Sequence, residues 1–84
     1  MFFVYVLKSK KDGNLYFGYA SDLKRRFKMH NAGKVKSTKE RLPFDLVYYE
    51  AYKSEKDARS REIQLKKMGS QRESLKKKLQ ESLE

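Results

Sequence analysis

The 84-residue chain has no cysteine and one histidine. Disulfides are excluded, and so is a zinc site built from Cys and His clusters. The absence of cysteine fits a reducing compartment. Long apolar runs are also missing. The longest, residues 2–7, is too short to span a membrane. It lacks the basic lead-in and small-residue cleavage site of a secretory signal. We read it as a buried strand, and the protein as cytoplasmic with no membrane partner. Acidic residues are scarce: 11 Asp and Glu stand against 21 Lys and Arg, a net charge of +10. Such an excess favours polyanionic partners, DNA, RNA or an anionic membrane, although solubility alone also accounts for it.

Hydrophobic residues make up 38% of the chain, and mean hydropathy is −0.96. Yet 13% of residues are aromatic, which argues against disorder. The length allows one modest core. We expect one domain over residues 1–80 and a frayed tail at 81–84.

The β-branched and aromatic run at residues 2–7 predicts a strand, and Leu15 to Ala20 a second. Asp12-Gly13 between them predicts a tight hairpin turn. A loop of those two residues pairs Tyr5 with Ala20 and Ser9 with Tyr16. Tyr5, Tyr16 and Gly18 then share one face. Ser21 or Asp22 caps a helix running to about Asn31, and Gly33 ends it. A basic loop follows, closed by Pro43, the only proline. Phe44 to Tyr52 reads as a third strand. Ser54 caps a helix reaching Met68, with Gly69 as its stop and Ser70 capping a last helix. The expected fold is α+β, a three-stranded antiparallel sheet flanked by helices in the order β-β-α-β-α-α.

Tyr5 and Tyr16 each read first as core residues with satisfied hydroxyls. Their common face, beside a glycine and a basic helix, makes a phosphate site more plausible. Arg26 and His30 are four apart and share a helix face. Arg matches phosphate oxygens with a planar fork, and His exchanges protons near neutral pH. A solvated basic face with Lys24, Arg25 and Lys28 is the plainer reading. Glu62 falls in an apolar stripe with Ala58 and Leu65, so it needs a cation, a hydrogen bond or a metal. An arginine partner, or a stripe rotated toward Ile63, answers the pattern equally. Lys34, Lys36, Lys39 and Arg41, then Lys66 and Lys67 with Arg72 and Lys76 to Lys78, are placed to track a nucleic-acid backbone, or to form solvated faces. The basic last helix alone supports a membrane-surface role.

Taken in order, Phe3-Val4-Tyr5, Tyr16-Phe17-Gly18, Arg26, His30 and Glu62 resemble a small stand-alone GIY-YIG nuclease domain. The chain is similar to the N-terminal domain of the excision-repair incision subunit and to the catalytic domain of certain homing endonucleases. The leading glycine of the first motif is missing. So is an asparagine that many active members carry after the glutamate helix, since this chain has only Asn14 and Asn31. The resemblance implies a metal-dependent endonuclease on DNA, in repair or recombination. It implies one Mg²⁺ or Mn²⁺ on Glu62, Tyr16 as general base assisted by Tyr5 and His30, and Arg26 neutralising phosphate charge. Tyr19, where some relatives have lysine, takes a supporting role. A partner protein or homodimer is compatible with cutting both strands. The missing asparagine and small size motivate the alternative, a non-catalytic nucleic-acid-binding module with the same fold.

Overall fold

The computed structural model describes residues 1–84. The elements run β1 (Phe2–Ser9), β2 (Leu15–Ala20), α1 (Leu23–Asn31), β3 (Phe44–Tyr52), α2 (Glu55–Lys67) and α3 (Gly69–Lys78). The expected order and class therefore hold. The sheet order is β2-β1-β3, with both pairings antiparallel. The most apolar segment becomes the central strand, and Val4, Tyr5, Val6 and Leu7 are all buried. A strand covered on both faces reads as a continuous apolar run rather than an alternating one.

The hairpin differs from the expected turn. Tyr5 pairs with Gly18 and Leu7 with Tyr16, a shift of two residues. The loop is wider because Ser9 N donates to Asn14 O (3.0 Å) and Gly13 N to Ser9 O (2.9 Å). Within this turn, Gly13 takes a positive φ of 73°. The buried Ser9 hydroxyl accepts from Lys11 N and Asp12 N, both at 3.1 Å, and donates to Arg41 O at 2.6 Å. These bonds favour the wider turn. A two-residue shift conserves side-chain parity, so Tyr5, Tyr16 and Gly18 still share a face.

Asp22 caps α1 through Arg25 N (3.1 Å), and Ser54 caps α2 through Asp57 N (3.3 Å). Gly69 does not act as the expected stop: it opens α3, and Met68 lies between the helices without a side-chain cap. Arg72 supplies the missing closure, donating to Leu65 O (3.1 Å) and Lys66 O (2.9 Å) at the end of α2. In the tail, Leu83 packs on the core, its N–H bonds Leu79 O, and Lys8 Nζ donates to Leu83 O.

Two apolar clusters sit on opposite faces of the sheet. Val4, Val6, Ala58, Leu65, Leu75 and Leu79 form one with α2 and α3. Tyr5, Leu7, Ala20 and Phe44 form the other, against which Tyr16, Leu23 and Phe27 pack. Asn31 closes the second by bonding both Phe44 N (2.7 Å) and Phe44 O (3.0 Å). No helix is long and apolar enough to cross a membrane.

Candidate active site

Tyr5 projects from the middle of β1 toward α1, across its neighbour Gly18. A Cβ on Gly18 would lie 2.3 Å from Tyr5 Cζ and 2.4 Å from its hydroxyl. Only glycine admits the tyrosine here. The Tyr5 hydroxyl thereby reaches His30 Nε2 at 2.8 Å, and His30 Nδ1 lies 2.8 Å from Thr38 Oγ1. The Thr38 hydroxyl donates to Val35 O at 3.4 Å. With its proton so directed, Thr38 accepts from His30 Nδ1–H, and Nε2 accepts from Tyr5. The relay is polarised from Tyr5 through the ring to the basic loop.

Burial pushes the Tyr5 hydroxyl up to about 12; the Arg26 guanidinium opposes this, while Tyr16 and Glu62 add to it. Burial, with Arg26 nearby, lowers His30 to about 4. His30 is therefore neutral at physiological pH. It is 0% exposed and holds the Tyr5 hydroxyl at 2.8 Å. The solvated-face reading of this position does not apply.

Tyr16 lies two pairs along on the edge strand β2, half-buried. Its ring centroid is 5.1 Å from that of His30 and 6.4 Å from that of Tyr5. Lys66 Nζ lies over the ring, 5.6 Å from its centroid, so α2 reaches round the β2 edge to this face. Arg26 is also half-buried, and its Nε is buried with no partner. An orphaned cationic donor beside two tyrosines is suited to an anionic oxygen.

Glu62 sits between the buried Ala58 and Leu65, whereas Ile63 is 53% exposed, so the stripe is not rotated. Its carboxylate is 3.1 Å from Lys66 Nζ and 3.8 Å from Arg59 Nη1. Its charge is the smallest of the influences that raise the Tyr5 hydroxyl. No cluster of three or more His, Cys, Asp or Glu side chains exists. One partly exposed carboxylate facing an open edge still fits a hard divalent cation, completed by waters and substrate phosphate.

The remaining expected binders divide. Lys34, Lys36, Lys39 and Lys67 are exposed. Arg41 is committed elsewhere: its Nε is 2.7 Å from Asp12 Oδ2, and it also donates to Leu15 O. That partner lowers the Asp12 carboxyl to about 2. Tyr19 lies on the opposite face from Tyr5, packed with the α2–α3 cluster. Its hydroxyl donates to Glu55 (2.7 Å), and Arg59 stacks 3.7 Å from its ring centroid. It is a structural neighbour of α2, not a member of this site. The residue that sequence reasoning missed is Thr38, the only threonine in the chain. Its signal was the spacing of Val35 and Thr38, both buried, among the exposed Lys34, Lys36 and Lys39.

The family model of the GIY-YIG catalytic domain matches residues 1–78. The chain belongs to the GIY-YIG family. It is similar to a UPF0213 protein of Streptococcus pneumoniae, 42% identical over 66 residues, covering 77% of this chain and 66% of that protein. The chain thus spans just under two thirds of that relative's length. It is 46% identical to a UPF0213 protein of Staphylococcus aureus, covering 76% and 78% of the two chains. The solution structure of a UPF0213 protein from Bacillus halodurans matches with a TM-score of 0.56 and 38% identity, over 89% of this chain and 81% of that one. The UPF0213 names state no activity. The GIY-YIG family is a nuclease family, generally dependent on divalent metal, which points to nucleic acid as the class of substrate.

Proposed function

We propose that this GIY-YIG protein is a metal-dependent endonuclease that hydrolyses phosphodiester bonds in DNA. The observation that carries the reading is the convergence of Tyr5, Tyr16 and Arg26, whose buried Nε has no partner, on the α1 face of the sheet. Tyr16, at the edge strand, orients the attacking water. Tyr5 stays protonated, since its O–H is spent on His30 and its pKa is raised to about 12. Arg26 donates to a phosphate oxygen as charge builds there. Glu62 would hold one Mg²⁺ or Mn²⁺, which when bound supplies Lewis-acid stabilisation of the phosphate and leaving oxygens. Lys66, 3.1 Å from Glu62, is the cation that must yield when that ion binds.

The test is cleavage of end-labelled duplex, single-stranded and branched DNA with Mg²⁺, Mn²⁺ or EDTA. Metal-dependent cutting must disappear in Glu62→Ala while circular dichroism stays unchanged. Cutting that survives in a folded Glu62→Ala protein would sink the reading. The engagement of Glu62 by Lys66 and Arg59, and the absence of a downstream asparagine, favour a second reading: a nucleic-acid-binding module without turnover. Salt-sensitive DNA binding with no cleavage on any substrate would establish it.

A further inference from the structure

A cleft of about 620 Å³ opens beside Tyr16, between the hairpin tip, the end of α2 and α3. Lys8, Lys66, Arg72 and Lys76 line it, and no carboxylate does. The cation partners leave much of this charge in place. Lys8 and Arg72 meet only carbonyl oxygens. Lys76 meets Glu73 at 3.4 Å in a pair open to solvent, where screening leaves little net attraction. The remaining wall is partly apolar: the half-buried Leu15, Phe17 and Leu83. A cationic rim over an apolar wall matches a phosphate joined to a base or sugar, rather than a bare anion.

The cleft is continuous with the candidate active site, because Tyr16 and Lys66 belong to both. We infer that it seats one nucleotide of the nucleic-acid strand next to the scissile phosphate, with its phosphate on Lys8, Arg72 and Lys76 and its base or sugar against Phe17 and Leu83. This rests on the nuclease reading for the identity of its ligand. It gives α3 a binding role besides its packing, and it makes the two helices and the hairpin tip one recognition surface.

Amide chemical shifts of the full chain, titrated with 5′-phosphorylated dithymidylate without metal, test this. Saturable shifts are expected at Gly13, Asn14 and Lys76. They should be lost in the Lys8→Glu/Lys76→Glu double variant and kept in Glu62→Ala. If the double variant does not fold, Lys8→Gln/Lys76→Gln takes its place. For a labelled single-stranded oligonucleotide, losing this one phosphate contact lowers the steepness of the log–log salt slope by about 0.7. Shifts confined to the loop carrying Lys34, Lys36 and Lys39 would overturn the cleft and leave the nuclease reading intact. Equal shifts from inorganic phosphate at the same concentration would overturn the seated base or sugar. Metal-dependent cleavage that persists in Glu62→Ala would instead remove the nuclease reading, whatever the cleft binds.

Discussion

On the α2–α3 face of the sheet, Val4 and Val6 pack against Ala58, Leu65, Leu75 and Leu79; on the α1 face, Tyr5 meets His30, which meets Thr38. The first face is held by area removed from water, which is tolerant of geometry. The second buries polar atoms, which is favourable only when each one is paired. The α2–α3 face does carry one polar network, at its β3 edge. There Glu50 accepts from Tyr48, Tyr52 and Arg61, and Arg61 donates to Gln71. That network ties α2 to the sheet with every partner satisfied. The α1 face differs in leaving one cationic donor, Arg26 Nε, without a partner. A small domain has placed most of its packing on one face and its exacting geometry on the other.

The contrast can be broken by substitutions on each face. The largest loss is expected for Leu65→Ala, which empties the centre of the apolar cluster. Urea denaturation should show a drop of about 3 kcal/mol. Gly18→Ala comes next. The new methyl collides with Tyr5, costing about 2 kcal/mol by overpacking. Cleavage should fall far more than stability does, because Tyr5 leaves His30. A folded variant with normal cutting would show that the relay is not needed for chemistry.

Thr38→Val keeps the volume and removes the acceptor of His30 Nδ1–H. A loss of about 1–2 kcal/mol is expected from the buried donor left unpaired, again with reduced cleavage. If it costs more than Leu65→Ala, the division of labour between the faces is wrong. The pH dependence sharpens the same point. His30 is lowered from 6.5 to about 4 in the folded chain, so below 6.5 the unfolded state binds a proton that the native state refuses. Stability contributed by neutral His30 is full above pH 6.5 and is lost as pH falls through about 4. The His30 ring signals in proton NMR should titrate with a midpoint near that lower value. A midpoint near 6.5 would mean that the relay is open to solvent. The smallest effect belongs to Ile63→Ala, on the exposed side of α2. It should change stability by no more than about 0.5 kcal/mol. A larger loss would point to a partner-dependent or rotated α2.

Much of this was readable along the chain because it depends on near neighbours. Periodicity and caps set the elements: Asp22 and Ser54 hold their helix starts, and the third strand begins and ends where its aromatic and β-branched run does. Parity placed Tyr5, Tyr16 and Gly18 on one face even though the register was misjudged by two residues. The register itself was hidden because Ser9 widens the turn through Arg41, which is 32 residues away. The break between α2 and α3 was misplaced for a similar reason: Arg72, not a local cap, satisfies the α2 carbonyls.

The sequence by itself determined the element order, the family motifs, the shared face of the two tyrosines and the cationic character of the surface. These follow from local propensity, side-chain alternation and formal charge, none of which needs a partner across space. The tertiary structure alone decided which groups are spent and which are free. It buried His30 between Tyr5 and Thr38, committed Arg41 to Asp12, tied the Tyr19 hydroxyl to Glu55 and left Arg26 with an unpaired donor. Hydrogen bonds and desolvation act between residues that only folding brings within about 3 Å, so no spacing along the chain encodes them.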